Sequence, residues 1–160
     1  MHRIHLFAIA AVLFAQSLTP ALHAEITEPS ITQITSVTIL VEDQDEALKW
    51  YTEKLGFEVV TDLQYAEDAR WLTVVPKGQT FPEISLERAG EARAALVGQS
   101  GSTVLATEDC HGTFELLKER GVETLGEPQK LPWGTQAMFK DLYGNLLIIL
   151  EAPEQPYEAR

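Results

Sequence analysis

The sequence is poor in the groups that most often carry protein chemistry. It has one cysteine, Cys110, and four histidines in 160 residues. One cysteine cannot form an intramolecular disulfide, and a lone thiol of this kind is typically a buried, small apolar residue. Basic residues are also scarce, because 12 Lys and Arg face 24 Asp and Glu for a net charge of −12, with no basic run. This balance argues against nucleic acids and anionic membranes as partners.

The sequence also lacks an apolar run long enough to span a bilayer. Leu6–Ala15 is wholly apolar but has only ten residues, whereas a membrane-spanning helix needs about 20. The run follows a short segment that contains Arg3 and precedes a polar stretch that ends at Ala24. This layout is typical of a secretory signal peptide. We therefore expect residues 1–24 to be removed and the rest to be exported, periplasmic or secreted, without a membrane anchor.

Loss of a signal peptide would leave one histidine. His2, His5 and His23 fall within residues 1–24, and His111 remains. We expect His111 to be exposed, because it lies at the start of a predicted helix. A single exposed histidine does not support a Ser-His-Asp triad, which needs a histidine beside the nucleophile.

The rest of the chain contains an internal repeat with an offset of about 66 residues. Glu42-Asp43 corresponds to Glu108-Asp109, and Gly56 corresponds to Gly121 after a one-residue deletion. In both copies an aspartate precedes a helical pattern and can cap its free N–H groups. In both copies a glycine stands where the helix must end. Asp43 and Glu46 have the spacing of a capping box.

Each copy is predicted to be strand–helix–strand–strand–strand, which gives an α+β fold. The predicted strands are Ser36–Val41, Glu58–Leu63, Arg70–Val75 and Glu83–Glu87 in the first copy, and Thr103–Thr107, Glu123–Gly126, Gln136–Lys140 and Leu146–Glu151 in the second. One domain is expected over residues 34–152, with a first module over about 34–90, a second over about 101–152, and a tail at 153–160.

This pattern resembles the vicinal-oxygen-chelate superfamily, which includes glyoxalase I, extradiol dioxygenases and bleomycin- and fosfomycin-resistance proteins. The resemblance rests on the paired βαβββ modules, the WYTEKLGF segment at 50–57, PWG at 132–134 and KDLYGNLLIILE at 140–151. It implies two curled mixed sheets around a cleft and, usually, a homodimer.

The resemblance also implies where a catalytic metal would be held. Enzymes of the superfamily bind a divalent metal with about four His, Glu or Gln side chains. Two of those positions correspond to Ser36 and Ser102, and the last corresponds to Ile148. On the fourth strand, one alignment selects Glu83 and another selects Ile84, and a shift of one residue exchanges the two faces of a strand. We therefore predict no catalytic metal, with a zinc or nickel site as the alternative.

A cleft without a metal could still bind a small organic molecule. The residues predicted to line it are Ser36, Arg70, Trp71, Glu83, Ser102, Trp133, Phe139 and Ile148. Among these, Arg70 could anchor an anionic ligand, and Glu83 is a candidate base. The aromatic side chains equally suit the core or a dimer interface.

Three functions follow from these residues. The first is a metal-free binding protein of the bleomycin-resistance type, which holds a small organic molecule outside the cytoplasm. The second is a metal-dependent lyase resembling glyoxalase I, and any enzyme here is expected to be such a lyase or isomerase. The third is a dimeric structural or interaction protein whose own side chains close the cleft.

Overall fold

A computed structural model describes residues 31–153. The elements are β1 (Ser36–Val41), α1 (Gln44–Leu55), β2 (Glu58–Ala66), β3 (Ala69–Val75), β4 (Glu83–Arg88), a 3₁₀ helix (Glu91–Leu96), β5 (Thr103–Ala106), α2 (Cys110–Glu119), β6 (Glu123–Leu131), β7 (Gly134–Lys140) and β8 (Leu146–Glu151). The predicted signal peptide lies outside the described residues, as does all of the predicted tail beyond Pro153.

The strands form two four-stranded mixed sheets with the same topology. Sheet 1 has the order β1-β4-β3-β2, and sheet 2 has the order β5-β8-β7-β6. In each sheet the first and last strands of the module pair in parallel, and the other pairs are antiparallel. This is the α+β arrangement of two βαβββ modules that the sequence predicts.

The helices begin and end close to where the sequence predicts. Asp43 caps α1 by accepting from the backbone N–H groups of Asp45 (2.8 Å) and Glu46 (3.0 Å), and Asp109 caps α2 in the same way. Gly56 ends α1 in the left-handed conformation, with φ of 71°. The predicted capping box does not form, because the backbone N–H of Asp43 donates to the Tyr143 hydroxyl (3.1 Å).

Both helices and one face of each sheet share a single hydrophobic core. The buried core side chains of the first module are Ile39, Val41, Ala47, Tyr51, Phe57, Leu72, Val74, Ile84 and Leu86. Those of the second are Cys110, Phe114, Leu117, Val122, Ala137, Phe139, Leu147 and Ile149. We call the sheet face that carries these side chains the helix face, and the opposite side the open face.

A buried carboxylate connects the two modules across this core. Asp141 Oδ2 accepts from the Tyr51 hydroxyl and from Asn145 Nδ2, both at 2.9 Å. Asn145 Nδ2 also donates to the carbonyl oxygen of Leu40, at 3.1 Å, in the first module. The Asp-x-x-Gly-Asn segment that resembles the superfamily therefore connects the two modules, and Tyr51 packs in the core.

Two strands extend beyond their predicted ends. Strand β2 continues to Ala66 and β6 to Leu131, each through a shift in register with its partner. Gly126, with φ of 77°, lies within the irregular part of β6. A glycine in this conformation lets the strand continue past a bulge. The alternation of the sequence alone indicates that the strand ends there. Neither described α-helix is long and apolar enough to cross a membrane.

Candidate functional site

The open faces of the two sheets carry the residues that alternate with the core. Successive side chains of a strand point to opposite faces of a sheet. In β3, Leu72 and Val74 lie in the core, so Trp71 and Thr73 lie on the open face. In β8, Leu147 and Ile149 lie in the core, so Ile148 lies on the open face.

The pairing of β1 with β4 decides which residues of the fourth strand share the open face. Ser36 is opposite Glu83, Thr38 is opposite Ser85, and Val37 is opposite Ile84. Ile84 is buried in the core. The alternative that places Ile84 on the open face is therefore wrong, and Glu83 lies there beside Ser36.

Comparison of the modules identifies a position that the sequence alone misplaces. Val104 is opposite Ile148 in sheet 2. The repeat relates Val104 to Thr38, and Thr38 is opposite Ser85. The fourth-strand equivalent of Ile148 is therefore Ser85, neither Glu83 nor Ile84.

Two predicted cleft residues lie on the helix face instead. Phe139 is 1% exposed and belongs to the core. Arg70 alternates with Trp71, and its guanidinium bonds to Asp62 at 2.6 and 2.8 Å and to Asp45 at 2.6 Å. These bonds raise the pKa of Arg70 further above its ordinary value. The structure corrects the prediction that Arg70 anchors an anionic ligand in the cleft, because its guanidinium is already paired by two carboxylates of its own module.

The remaining candidates lie on or beside the open faces. Trp71 is 43% exposed and is opposite Leu63, which is 55% exposed. The indole N–H of Trp133 donates to Gln136 Oε1 at 3.0 Å in the turn between β6 and β7. Ser102 borders a groove of about 440 Å³ along the β5 edge. The structure thus pairs Ser36 with Glu83, while Arg70 and Phe139 lie apart from them.

The cysteine and histidine of the second module offer no nucleophilic pair. Cys110 is buried, and burial raises the pKa of its thiol, with the charges of Glu151 and Asp109 adding to the effect. The adjacent His111 is exposed, as predicted. A buried thiol with a raised pKa is a weak nucleophile at neutral pH.

Comparison with known proteins agrees with this architecture. The sequence model described as Glyoxalase/Bleomycin resistance protein/Dioxygenase superfamily matches residues 33–149. This chain belongs to that superfamily. YetH, an uncharacterized protein of Bacillus subtilis (strain 168), is 37% identical over 126 residues, which cover 76% of this chain and 99% of YetH.

Two solved structures are also similar to this chain, with sequence identities of 37% and 32%. The crystal structure of UcmS2 has a TM-score of 0.69 and 37% identity, covering 76% of this chain and 99% of UcmS2. TnmS3, described as an antibiotic binding protein from Streptomyces sp. CB03234, has a TM-score of 0.68 and 32% identity. That match covers 79% of this chain and all (100%) of TnmS3.

The metal that enzymes of this superfamily use does not fit the residues of this chain. The positions that the resemblance and the internal repeat assign to the metal ligands are occupied by Ser36, Ser85, Ser102 and Ile148. A neutral hydroxyl is a poor ligand beside imidazole or carboxylate, and isoleucine has no donor atom. Among residues 31–153, no three His, Cys, Asp or Glu side chains lie close enough together to hold an ion.

Sequence reasoning missed Ser85 and Leu63 as open-face residues. Ser85 cannot be identified from the sequence, because a serine inside an apolar strand carries no chemical signal. Leu63 was the predicted end of β2, and only its pairing with Trp71 shows that it extends the same apolar surface. Alternation could have found one error, because adjacent Arg70 and Trp71 cannot share a face.

Proposed function

We propose that this chain is an exported, homodimeric protein that binds a small organic molecule against its open faces without a catalytic metal. The observation that carries this proposal is the chemistry of the four family ligand positions, which hold three serines and an isoleucine. The same faces present exposed apolar side chains, including Trp71, Leu63 and Val104. A concave apolar surface with a few polar groups is typical of a small-molecule site.

The position of the shared core supports a dimer. Because both helix faces meet in one core, the open faces point away from it. A second copy would place the open face of sheet 1 opposite that of sheet 2 and enclose a cleft. Large exposed apolar side chains along β2, such as Val60 and Leu63, support a surface that is covered in solution.

Two further observations support binding as the role. TnmS3, a relative over nearly four-fifths of this chain, is described as an antibiotic binding protein. The predicted signal peptide supports an extracytoplasmic site of action. Buried Asp141 and core Phe139 take no part in binding in this proposal, because they hold the modules together.

The full chain, expressed with its own N-terminus and purified without chelator, tests this proposal. Metal analysis, native mass spectrometry and N-terminal sequencing are applied to the same sample. We expect far less than stoichiometric metal, a dimer mass, a co-purifying small molecule and an N-terminus at Glu25. Stoichiometric metal with chelator-sensitive activity would instead favour the glyoxalase-like lyase. A metal-free dimer whose open faces bind no organic probe would favour the interaction protein.

A further inference from the structure

One row of side chains crosses the open face of sheet 1 from edge to edge, and every member carries a hydroxyl. Thr38 on β1 is opposite Ser85 on β4, Ser85 is opposite Thr73 on β3, and Thr73 is opposite Thr61 on β2. We call these four residues the hydroxyl row. Ser85, the family ligand position of this module, lies within it.

The equivalent row of sheet 2 is wholly apolar. Val104 on β5 is opposite Ile148 on β8, Ile148 is opposite Met138 on β7, and Met138 is opposite Leu125 on β6. We call these four residues the apolar row. The two modules thus present rows of opposite chemistry at the same place in the same topology.

The hydroxyl row contains a polar group without a partner. Thr73 is 0% exposed, and its Oγ1 is the one buried side-chain nitrogen or oxygen atom of the described residues that lacks a hydrogen bond. Ser85 beside it is 3% exposed. A buried hydroxyl without a partner destabilises a protein, whereas valine of the same shape does not. An unpartnered hydroxyl at the centre of the open face points to a partner that arrives with a ligand.

The charges around the hydroxyl row restrict that ligand further. Two residues before Ser85 on β4 is Glu83, and two residues after it is Glu87. Arg93 pairs with Glu87, whereas Glu83 has no ion pair within residues 31–153. None of the four strands of sheet 1 presents a Lys or Arg on the open face, and the neighbouring Arg93 is already paired, so the surface disfavours an anionic ligand. Glu83 and Trp71 lie on opposite sides of the hydroxyl row, each two residues from it along its own strand. At about 3.3 Å per residue, they are roughly 13 Å apart along the strand direction.

These observations together define a ligand class, and this inference rests on the proposed function. We propose that the ligand is a flat, neutral or cationic organic molecule whose oxygen-bearing groups bond to the hydroxyl row of one copy while its apolar surface packs on the apolar row of the second copy in the proposed dimer. Thr73 and Ser85 are its specificity-determining residues. Trp71 packs against the ring system on one side of the row, and Glu83 receives a cationic group on the other.

Two planar cationic probes separate hydrogen bonding from packing. Doxorubicin carries ring carbonyls, hydroxyls and an ammonium group, whereas 9-aminoacridine is planar and cationic without oxygen. Binding of each to the full-length chain is followed by probe fluorescence. We expect T73V and S85A each to weaken doxorubicin binding about 3- to 10-fold, and 9-aminoacridine binding less than about 2-fold. M138A should weaken both.

Thermal unfolding of the free protein gives a second readout for the same variant. T73V should raise the Tm, because it removes an unsatisfied hydroxyl while keeping a β-branched side chain. T124V is the matched control, because Thr124 is opposite core residue Phe139 and so lies on the helix face of sheet 2. It should leave the affinity for both probes unchanged.

The outcomes distinguish this inference from the proposed function. Equal losses for both probes in T73V and S85A, no loss for doxorubicin, or a lower Tm for T73V would overturn the role of the hydroxyl row. Failure of the unaltered chain to bind either probe would overturn the inferred ligand class, whereas the proposed function is decided separately by the metal content, the mass and the co-purifying molecule in its own test.

Discussion

Lys54 and Arg120 occupy equivalent positions in the two modules, and each donates a hydrogen bond to the backbone carbonyl oxygen of the other. Lys54 Nζ donates to the Arg120 oxygen, and Arg120 Nη1 donates to the Lys54 oxygen at 2.7 Å. Each cation lies at the C-terminal end of its helix, where free carbonyl groups favour positive charge. The two modules therefore contact each other symmetrically, through residues that the internal repeat relates.

The Tyr51–Asp141 bond is a second contact between the modules, and it should be needed for stability. Burial and the neighbouring Asp141 carboxylate raise the pKa of Tyr51 above its ordinary value, so its hydroxyl stays protonated and donates. Y51F would leave Asp141 Oδ2 with fewer donors in a buried site, at a cost of about 1–3 kcal/mol. We expect the Tm to fall by about 3–9 °C in thermal unfolding.

The matched control for this prediction is Y65F, because Tyr65 is 66% exposed and makes no side-chain hydrogen bond within the described residues. Its Tm should stay within about 1 °C of the unaltered chain. A Y51F variant as stable as Y65F would show that the buried bond contributes nothing to the contact between the modules.

The fold could be predicted because its signals are local and repeated. Asp43 and Asp109 mark the helix starts, Gly56 marks an end, and alternation marks most strands. The candidate site was harder, because it depends on which residues are opposite each other in different strands. Glu83 and Ile84 were equal candidates until the pairing of β1 with β4 showed that neither is equivalent to Ile148.

The adjacent residues Arg70 and Trp71 should affect binding differently, because they point to opposite faces. R70Q removes a cation that bonds to Asp62 and Asp45 on the helix side, so doxorubicin affinity should change less than about 2-fold. W71A removes an exposed aromatic surface from the open face and should weaken binding about 10-fold or more. Fluorescence titration measures both, and a larger effect for R70Q would contradict the assignment of faces.

The Arg70–Asp62 pair should make stability depend on pH below the neutral range. Hydrogen bonding from Arg70, aided by its charge, lowers the pKa of the Asp62 carboxyl. A carboxyl with a lowered pKa in the folded state stabilises above its unfolded pKa, about 3.9, and this stabilisation is lost as the pH falls through the folded value. D62N should lower the Tm by about 1–3 °C at pH 6, and the difference should shrink and then vanish as the pH falls through the folded pKa of Asp62.

D68N is the control for this pH series. Asp68 is exposed and forms no ion pair within the described part of the chain, so D68N should follow the unaltered chain at every pH. A difference for D62N that persists at low pH would show a packing effect instead of ionisation.

The four family ligand positions can be tested by rebuilding a metal site. The quadruple variant S36H, S85E, S102H and I148E places two imidazoles and two carboxylates where superfamily enzymes hold their metal, and such a donor set suits Zn²⁺. The triple variant S36H, S102H and I148E keeps Ser85 and leaves Glu83 as the nearest carboxylate. If Ser85 is the correct fourth position, isothermal titration calorimetry should show Zn²⁺ binding at least about 10-fold tighter in the quadruple than in the triple variant. Equal affinities in two folded variants would mean that Glu83 supplies the ligand and that the equivalence of Ser85 with Ile148 is wrong.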